Sequence, residues 1–172
     1  MIIGTIDSIF LLDLSYLQGL KIKALIVDLD QTLASPFQKN PDGNAFRLKQ
    51  ELQDSGIELI VVSNNFRRRV APFCNSLGVR FLPFAIKAFP FRVKAFLREN
   101  GFRNEDVVFV GDQLRTDGKM CRYLSTRLIL TRPLEEKDNL MTRFFRRRDD
   151  RMIEKAKKAG KLGIGLPVIE RR

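Results

Sequence analysis

Histidine is absent from all 172 residues. That absence removes Ser-His-Asp and Cys-His catalysis, His-ligated zinc, and imidazole as an acid or base. Proton transfer near neutral pH is left to Asp, Glu, Lys or Tyr. Cysteine is scarce. Cys74 and Cys121 form no CxxC pair and fall in helix-like segments, where reduced, partly buried thiols are expected. Such thiols suit a cytoplasmic protein. Without a thiol cluster or an imidazole, any bound metal should be a hard cation held by carboxylates. Long apolar runs are also missing: no window reaches about 18 uninterrupted apolar residues, so no membrane-spanning helix is expected. The apolar N-terminal stretch MIIGTIDSIFLLDLSYL carries Asp7 and Asp13. It has no basic start and no small-residue cleavage site, and reads as a poor signal peptide.

What is present is a chain long enough for one domain with a real core, 44% hydrophobic in composition. The formal net charge is +11, unevenly spread. Residues 141–172 hold 11 Lys and Arg against 4 Asp and Glu, which places most of the excess in the tail. A tail of that kind suggests an anionic partner, a phosphate-rich membrane surface or a nucleic acid.

Apolar runs alternate with helix-like stretches. KALIVD (23–28), ELIVV (58–62), RFL (80–82), DVVFV (106–110) and RLILT (127–131) read as five strands. Between them Asn44–Asp54, Val70–Leu77, Phe91–Asn100 and Thr116–Leu124 read as helices, with glycine stops at Gly56, Gly78 and Gly101. Pro72 predicts that the second helix begins only a residue or two before it. Continuous apolar strands alternating with helices predict an α/β domain: a five-stranded, mostly parallel sheet covered on both faces. The connection Gln31–Gly43 is short, leaving little room for an inserted cap domain.

In such sheets ligands bind at the carboxyl ends of the strands. There stand Asp28, Asp30 and Thr32 after the first strand, and Ser63, Asn64 and Asn65 after the second. Lys87 follows the third, and Asp112 and Asp117 the fourth. Each alone has a bland reading: a DxD acid as cap or turn residue, Ser63 as a cap, Lys87 as a solvated lysine. Their convergence on one rim fits a divalent cation and a phosphoryl group. Magnesium takes oxygen ligands, uses few protein carboxylates, and would neutralise the clustered acids. Asp28 can attack phosphorus as a nucleophile. Asp30 can protonate the leaving oxygen. Ser63 and backbone N–H groups near Asn64 can hold phosphate oxygens, and Lys87 can answer charge on the equatorial oxygens.

These residues resemble the motifs of the haloacid-dehalogenase-like (HAD) superfamily. Asp28-Leu29-Asp30-Gln31-Thr32 is similar to its DxDxT signature, and Ser63, Lys87 and Gly111–Asp117 to its later motifs, in order. The strings DLDQTL, VSNN, AIKAF and VGDQLRTD resemble the small, capless YqeG-type branch, whose relatives include mitochondrial phosphatidylglycerophosphate phosphatases. The resemblance implies a single Rossmann-like domain and an Mg²⁺-dependent phosphatase. Asp28 would become an aspartyl phosphate and Asp30 would act as acid, then base. Ser63 would bind the phosphoryl group, with Asn64 and Thr32 beside it, and Lys87 would stabilise it. Asp112 would ligate Mg²⁺ with Asp28 and the Asp30 carbonyl, and Asp117 would support the metal or Lys87. Gln31 stands where the branch usually has Asn, Ala88 where it has Pro, and MCRYLS where it has a glycine-rich loop.

A capless site is open, and can accept a phosphate still attached to a membrane. Phe81, Phe84, Phe89 and Phe91 flank Lys87. Most are expected in the core, with one or two at the rim. Met141, Phe145, Arg148 and Met152 fall at helical spacing among basic residues, predicting a basic helix at about 139–161 that closes a domain of residues 1–161. Residues 162–172 read as a flexible tail. The helix is either structural or a peripheral contact with an anionic membrane, at the inner membrane surface of a cytoplasmic protein. A phospholipid phosphate such as phosphatidylglycerophosphate is the expected substrate, with soluble phosphates as the alternative. A basic RNA- or membrane-binding module with a vestigial site is the reading of another class.

Overall fold

The computed structural model of the chain describes residues 2–134. The expected basic helix at 139–161 and tail at 162–172 lie outside the described residues, as does the domain limit near 161.

The chain runs β1 (Ile2–Ile6), α1 (Leu14–Gly19), β2 (Ala24–Val27), α2 (Gly43–Asp54), β3 (Glu58–Val62), α3 (Arg67–Leu77), β4 (Arg80–Leu82), α4 (Phe91–Glu99), β5 (Val107–Gly111), α5 (Lys119–Leu124) and β6 (Arg127–Thr131). One sheet of order β1-β6-β5-β2-β3-β4 holds all six strands, and every pair is parallel. Five strands stand where the apolar runs predict them. The sixth, β1, corrects the expected count: the N-terminal stretch is an edge strand against β6.

Strand residues alternate between two layers of core. Leu25, Val27, Leu59, Val61, Val108 and Val110 face one way, against α2 and α3 through Leu48, Leu52, Val70, Phe73 and Leu77. Ala24, Ile26, Ile60, Val62, Val107 and Phe109 face the other, against α4 and α5 through Val93, Leu97, Met120 and Leu124. Each fully buried Leu or Ile stabilises the fold by about 1.5–3 kcal/mol relative to exposure. Cys74 and Cys121 belong to these layers as free thiols, and burial pushes both up to about 12.

The helix ends follow local chemistry. Asp42 caps α2 by accepting from the Ala45 N–H at 2.9 Å, and Gly78 closes α3 in the left-handed region at φ 69°. α3 departs from expectation. It starts at Arg67, well before Pro72, which sits inside the helix on its exposed side.

From β2 the chain winds outward to β4 on one side, then crosses to β5 and β6 on the other. The strand order therefore reverses between β2 and β5. In parallel sheets such a reversal is where a ligand crevice lies, at the carboxyl ends of the strands. The connections at that end (residues 28–42, 63–66 and 83–90) hold no inserted domain. Among the described residues no helix is long and apolar enough to cross a membrane.

Candidate active site

Asp28 follows β2 directly. Its N–H donates to the Val110 carbonyl at 2.9 Å, so its backbone is still held beside β5 at the switch point. The next residues turn back sharply. Leu29 is buried, its carbonyl accepts from Leu33 (3.0 Å) and Ala34 (2.9 Å), and Gln31 adopts φ 69°. The left-handed region favours Asn over Gln, because a short polar side chain can satisfy nearby backbone there. That accounts for Asn as the usual residue of the motif.

The turn presents Asp30 toward the start of α3. Asn65 Nδ2 donates to Asp30 Oδ2 at 2.6 Å, while Arg69 donates to Oδ1 from Nε at 3.1 Å and Nη2 at 2.8 Å. Arg69 also reaches the Ser35 carbonyl at 3.1 Å. Neither Asn65 nor Arg69 carries a role in the sequence reading. A signal was there: Arg67, Arg68 and Arg69 crowd the first turn of a helix, where the macrodipole disfavours cations. Such a run needs a reason outside the helix, and for Arg69 it is Asp30.

Lys87 arrives on a strained loop. Phe84 and Ile86 both stand at φ 50°, and the chain alternates exposed Phe84, buried Ala85, exposed Ile86 and buried Lys87. Left-handed backbone at a β-branched residue costs of order 1–3 kcal/mol and persists only where its surroundings hold it. Here they do. The Lys87 N–H donates to Asn64 Oδ1 at 2.8 Å, and its ammonium bridges Asp28 Oδ1 and, at 2.7 Å, Asp117 Oδ1. Burial works against the ammonium, but the two carboxylates outweigh it and hold the Lys87 amine above its ordinary range.

Asp117 is delivered by a wide turn of π type, Leu114–Gly118, after β5. Such turns recur at functional sites. The Asp117 Oδ2 accepts from the Gln113 N–H at 3.3 Å. Gly111 makes the approach feasible: a Cβ there would land on the Asp117 carboxyl group. Both Asp117 oxygens are thus engaged within the protein, one of them anchoring Lys87.

The structure brings Asp28, Lys87 and Asp117 into one cluster, Lys87 and Asp117 buried and Asp28 partly exposed, with exposed Asn64 holding the Lys87 backbone and Asp30 two residues after Asp28. Ser63 is buried at the end of β3, its Oγ accepting from the Asn65 N–H at 3.1 Å. Thr32 is fully buried, and its Oγ1 has no hydrogen-bond partner among the described residues. Asp112 lies close enough to act on Asp28. Burial pushes the Asp28 carboxyl up to about 7; Lys87 opposes this, and the charges of Asp117 and Asp112 add to it. The Lys87 ammonium thus meets Asp28 and Asp117, and the charge of Asp112 also reaches Asp28.

That donor set fits a hard divalent cation, although among the described residues no three carboxylates or thiols form a ready-made metal cluster. Magnesium does not need one, since it commonly takes one or two carboxylates and completes its shell with water and substrate phosphate. Of the four aromatics flanking Lys87, only Phe81 is half-buried; Phe84, Phe89 and Phe91 are exposed. That is more than the one or two expected at the rim.

No model of a known protein family matches the chain. Over 158 residues it is 33% identical to the probable phosphatase YqeG of Bacillus subtilis (strain 168), a match spanning 90% of each chain. The chain belongs to the YqeG family. That relative is a probable phosphatase, so the family is one of probable phosphatases. Solved structures agree on the fold alone. The cobalt-bound deoxy-D-mannose-octulosonate 8-phosphate phosphatase (YrbI) of Haemophilus influenzae matches with a TM-score of 0.51 at 19% identity, over 65% of this chain and 70% of that one. CbbY of Rhodobacter sphaeroides, solved with phosphate, matches with a TM-score of 0.50 at 15% identity, over 69% of this chain and 90% of that one.

Proposed function

We propose that this YqeG-family phosphatase works through an aspartyl-phosphate intermediate on Asp28, needs Mg²⁺, and takes a phosphate carried on a phospholipid. The observation that carries the mechanism is the Lys87 bridge. A buried lysine locked between Asp28 and Asp117 holds a cation beside a carboxylate at a strand end, where the incoming phosphoryl group would gain negative charge.

An Asp28 carboxylate oxygen attacks phosphorus, and the bond from phosphorus to the substrate oxygen breaks. Asp30 gives its proton to that leaving oxygen. Water then attacks the phosphorus of the acyl phosphate, Asp30 takes the water proton, and the bond to Asp28 breaks, releasing inorganic phosphate and regenerating the carboxylate. Ser63 and the backbone around Asn64 orient the phosphoryl oxygens. Asp28, the Asp30 carbonyl and Asp112 would hold Mg²⁺, which supplies charge neutralisation for a dianionic substrate beside three acids.

The test is Mg²⁺-dependent hydrolysis of p-nitrophenyl phosphate. Asp28→Asn should lower kcat by several orders of magnitude while phosphate still binds. Near-normal turnover by a folded Asp28→Asn protein would sink the aspartyl-phosphate mechanism, and no turnover by the unaltered protein would favour a vestigial site. The lipid-borne substrate rests on the open, capless mouth. It is tested by comparing phosphatidylglycerophosphate with soluble sugar, nucleotide and protein phosphates, and a preference for a soluble ester would overturn it.

A further inference from the structure

We propose that the mouth of the cleft is an aromatic and cationic collar that seats on the surface of an anionic lipid bilayer. This deepens the phospholipid-phosphate reading and rests on it for its purpose, while its test measures binding without turnover.

The collar is built from two segments at the carboxyl edge of the sheet, with Lys119 and Tyr123 of α5 packed against the second. Phe66 and the first turn of α3 follow Ser63; Phe84 to Arg92 surround Lys87. Phe66 is 58% exposed, Phe84 44%, Phe89 65% and Phe91 63%, which places four large rings outside the core. Two ring pairs form among them and Tyr123. Phe66 and Phe84 stack with centroids 5.3 Å apart, and Phe91 meets Tyr123 edge-on at 5.5 Å. Cations interleave them: Arg68 lies over Phe66, Arg92 over Phe84 and Lys119 over Phe89, each 5.9 Å from the ring centroid.

The charge has one sign. No Asp or Glu occurs between Glu58 and Glu99, a span that includes both segments. Exposed rings on two segments that carry no acid of their own complement an anionic, partly apolar surface, and Asp30, the acid nearest the first of them, is already paired with Arg69. Aromatic side chains settle at the headgroup level of bilayers, and interleaved Lys and Arg meet lipid phosphates there. A nucleic acid would also meet the cations, but bases bind aromatics by stacking on open ring faces. Those faces on Phe66 and Phe84 are already engaged by each other and by guanidinium groups. The strained backbone at Phe84 and Ile86 also acquires a purpose. The same two left-handed residues that bury Lys87 turn Phe84 and Ile86 outward, so seating the rim on a bilayer brings a lipid phosphate to the ammonium.

The experiment is co-sedimentation of the full chain with vesicles of phosphatidylcholine alone and of phosphatidylcholine and phosphatidylglycerol in equal parts. Binding is expected to the second and to be weakened by salt. At about fivefold per cation near such a surface, Arg68→Gln with Arg92→Gln should lower the partition coefficient by up to about 25-fold. Phe89→Ser with Phe91→Ser should also lower it, and both pairs should hydrolyse p-nitrophenyl phosphate as the unaltered protein does. The chain has no Trp, so Phe89→Trp adds a single reporter whose emission should shift to the blue on the anionic vesicles. Vesicle binding that ignores both double substitutions, an unshifted Trp, or capture by single-stranded RNA but not by vesicles would overturn the collar. Collar-dependent binding by a protein that hydrolyses no phosphate ester would sink the catalytic reading and leave the collar standing.

Discussion

At the scale of single residues, Asp30 is gripped at both oxygens, by Asn65 at Oδ2 and by Nε and Nη2 of Arg69 at Oδ1. A general acid must be aimed at the leaving oxygen, and this grip fixes one face of its carboxylate. Asp30→Asn should slow esters with poor leaving groups far more than nitrophenyl esters, since only the former need a proton. Arg69→Ala should give the same pattern in milder form, roughly tenfold on an alkyl phosphate, with Arg69→Lys recovering only part because a point charge cannot replace the fork. Equal slowing of both ester classes in a folded Arg69→Ala protein would reduce Arg69 to a structural brace. The chemical side chains were legible because each follows an apolar run, and parallel sheets gather strand ends on one edge. Arg69 was not, because its partner lies on a different connection. The burial of Thr32 was not legible either, since a hydroxyl in a motif gives no hint of whether it faces the cleft.

At the scale of elements, α3 shows what composition hides. Pro72 breaks the hydrogen-bond ladder by lacking an N–H for the Arg68 carbonyl, and this argues for a late helix start. The helix nevertheless begins at Arg67, because the Arg69 grip on Asp30 fixes its first turn and Pro72 lies on the solvent side, where water can serve the orphan carbonyl. Pro72→Ala should therefore stabilise the fold by about 1 kcal/mol, the restored helix propensity being partly offset by a freer unfolded chain. Chemical denaturation measures it, and an unchanged midpoint would mean that the break carries no cost here. β1 was missed for another reason. The pairing of this short apolar stretch with β6, more than a hundred residues away in the chain, has no local mark. Aromatic content alone does not say which ring faces water, so the exposure of Phe84, Phe89 and Phe91 has no mark in the sequence.

At the scale of the whole molecule, the crevice couples stability to pH and metal. The Asp28 carboxyl is raised to about 7 from 3.8 in the unfolded chain, first by burial. A raised acid stabilises the fold fully below its unfolded value and loses that contribution as pH climbs through its folded value. The metal-free protein should therefore lose stability between about pH 4 and pH 7, relative to Asp28→Asn, which lacks the titration. Lys87 is raised as well, but its contribution is fully present below 10.5 and does not compete in this window. Added Mg²⁺ should flatten the slope by neutralising the same carboxylates. Thermal midpoints across that range, for both proteins with and without Mg²⁺, would show it; parallel curves would mean that Asp28 titrates normally.

The pairing of β1 with β6 also sets a timetable. Among the described residues Ile2–Ile6 pairs with Arg127–Thr131 alone, the last strand described. During synthesis the first strand leaves the ribosome early and must wait, on the order of ten seconds at ordinary elongation rates, for the strand that covers it. Through that interval an apolar segment with open backbone groups is available to chaperones or to another chain. Slowing translation should therefore cost soluble yield chiefly through this edge, and polar replacement of Ile3 would trade native stability for a safer nascent chain.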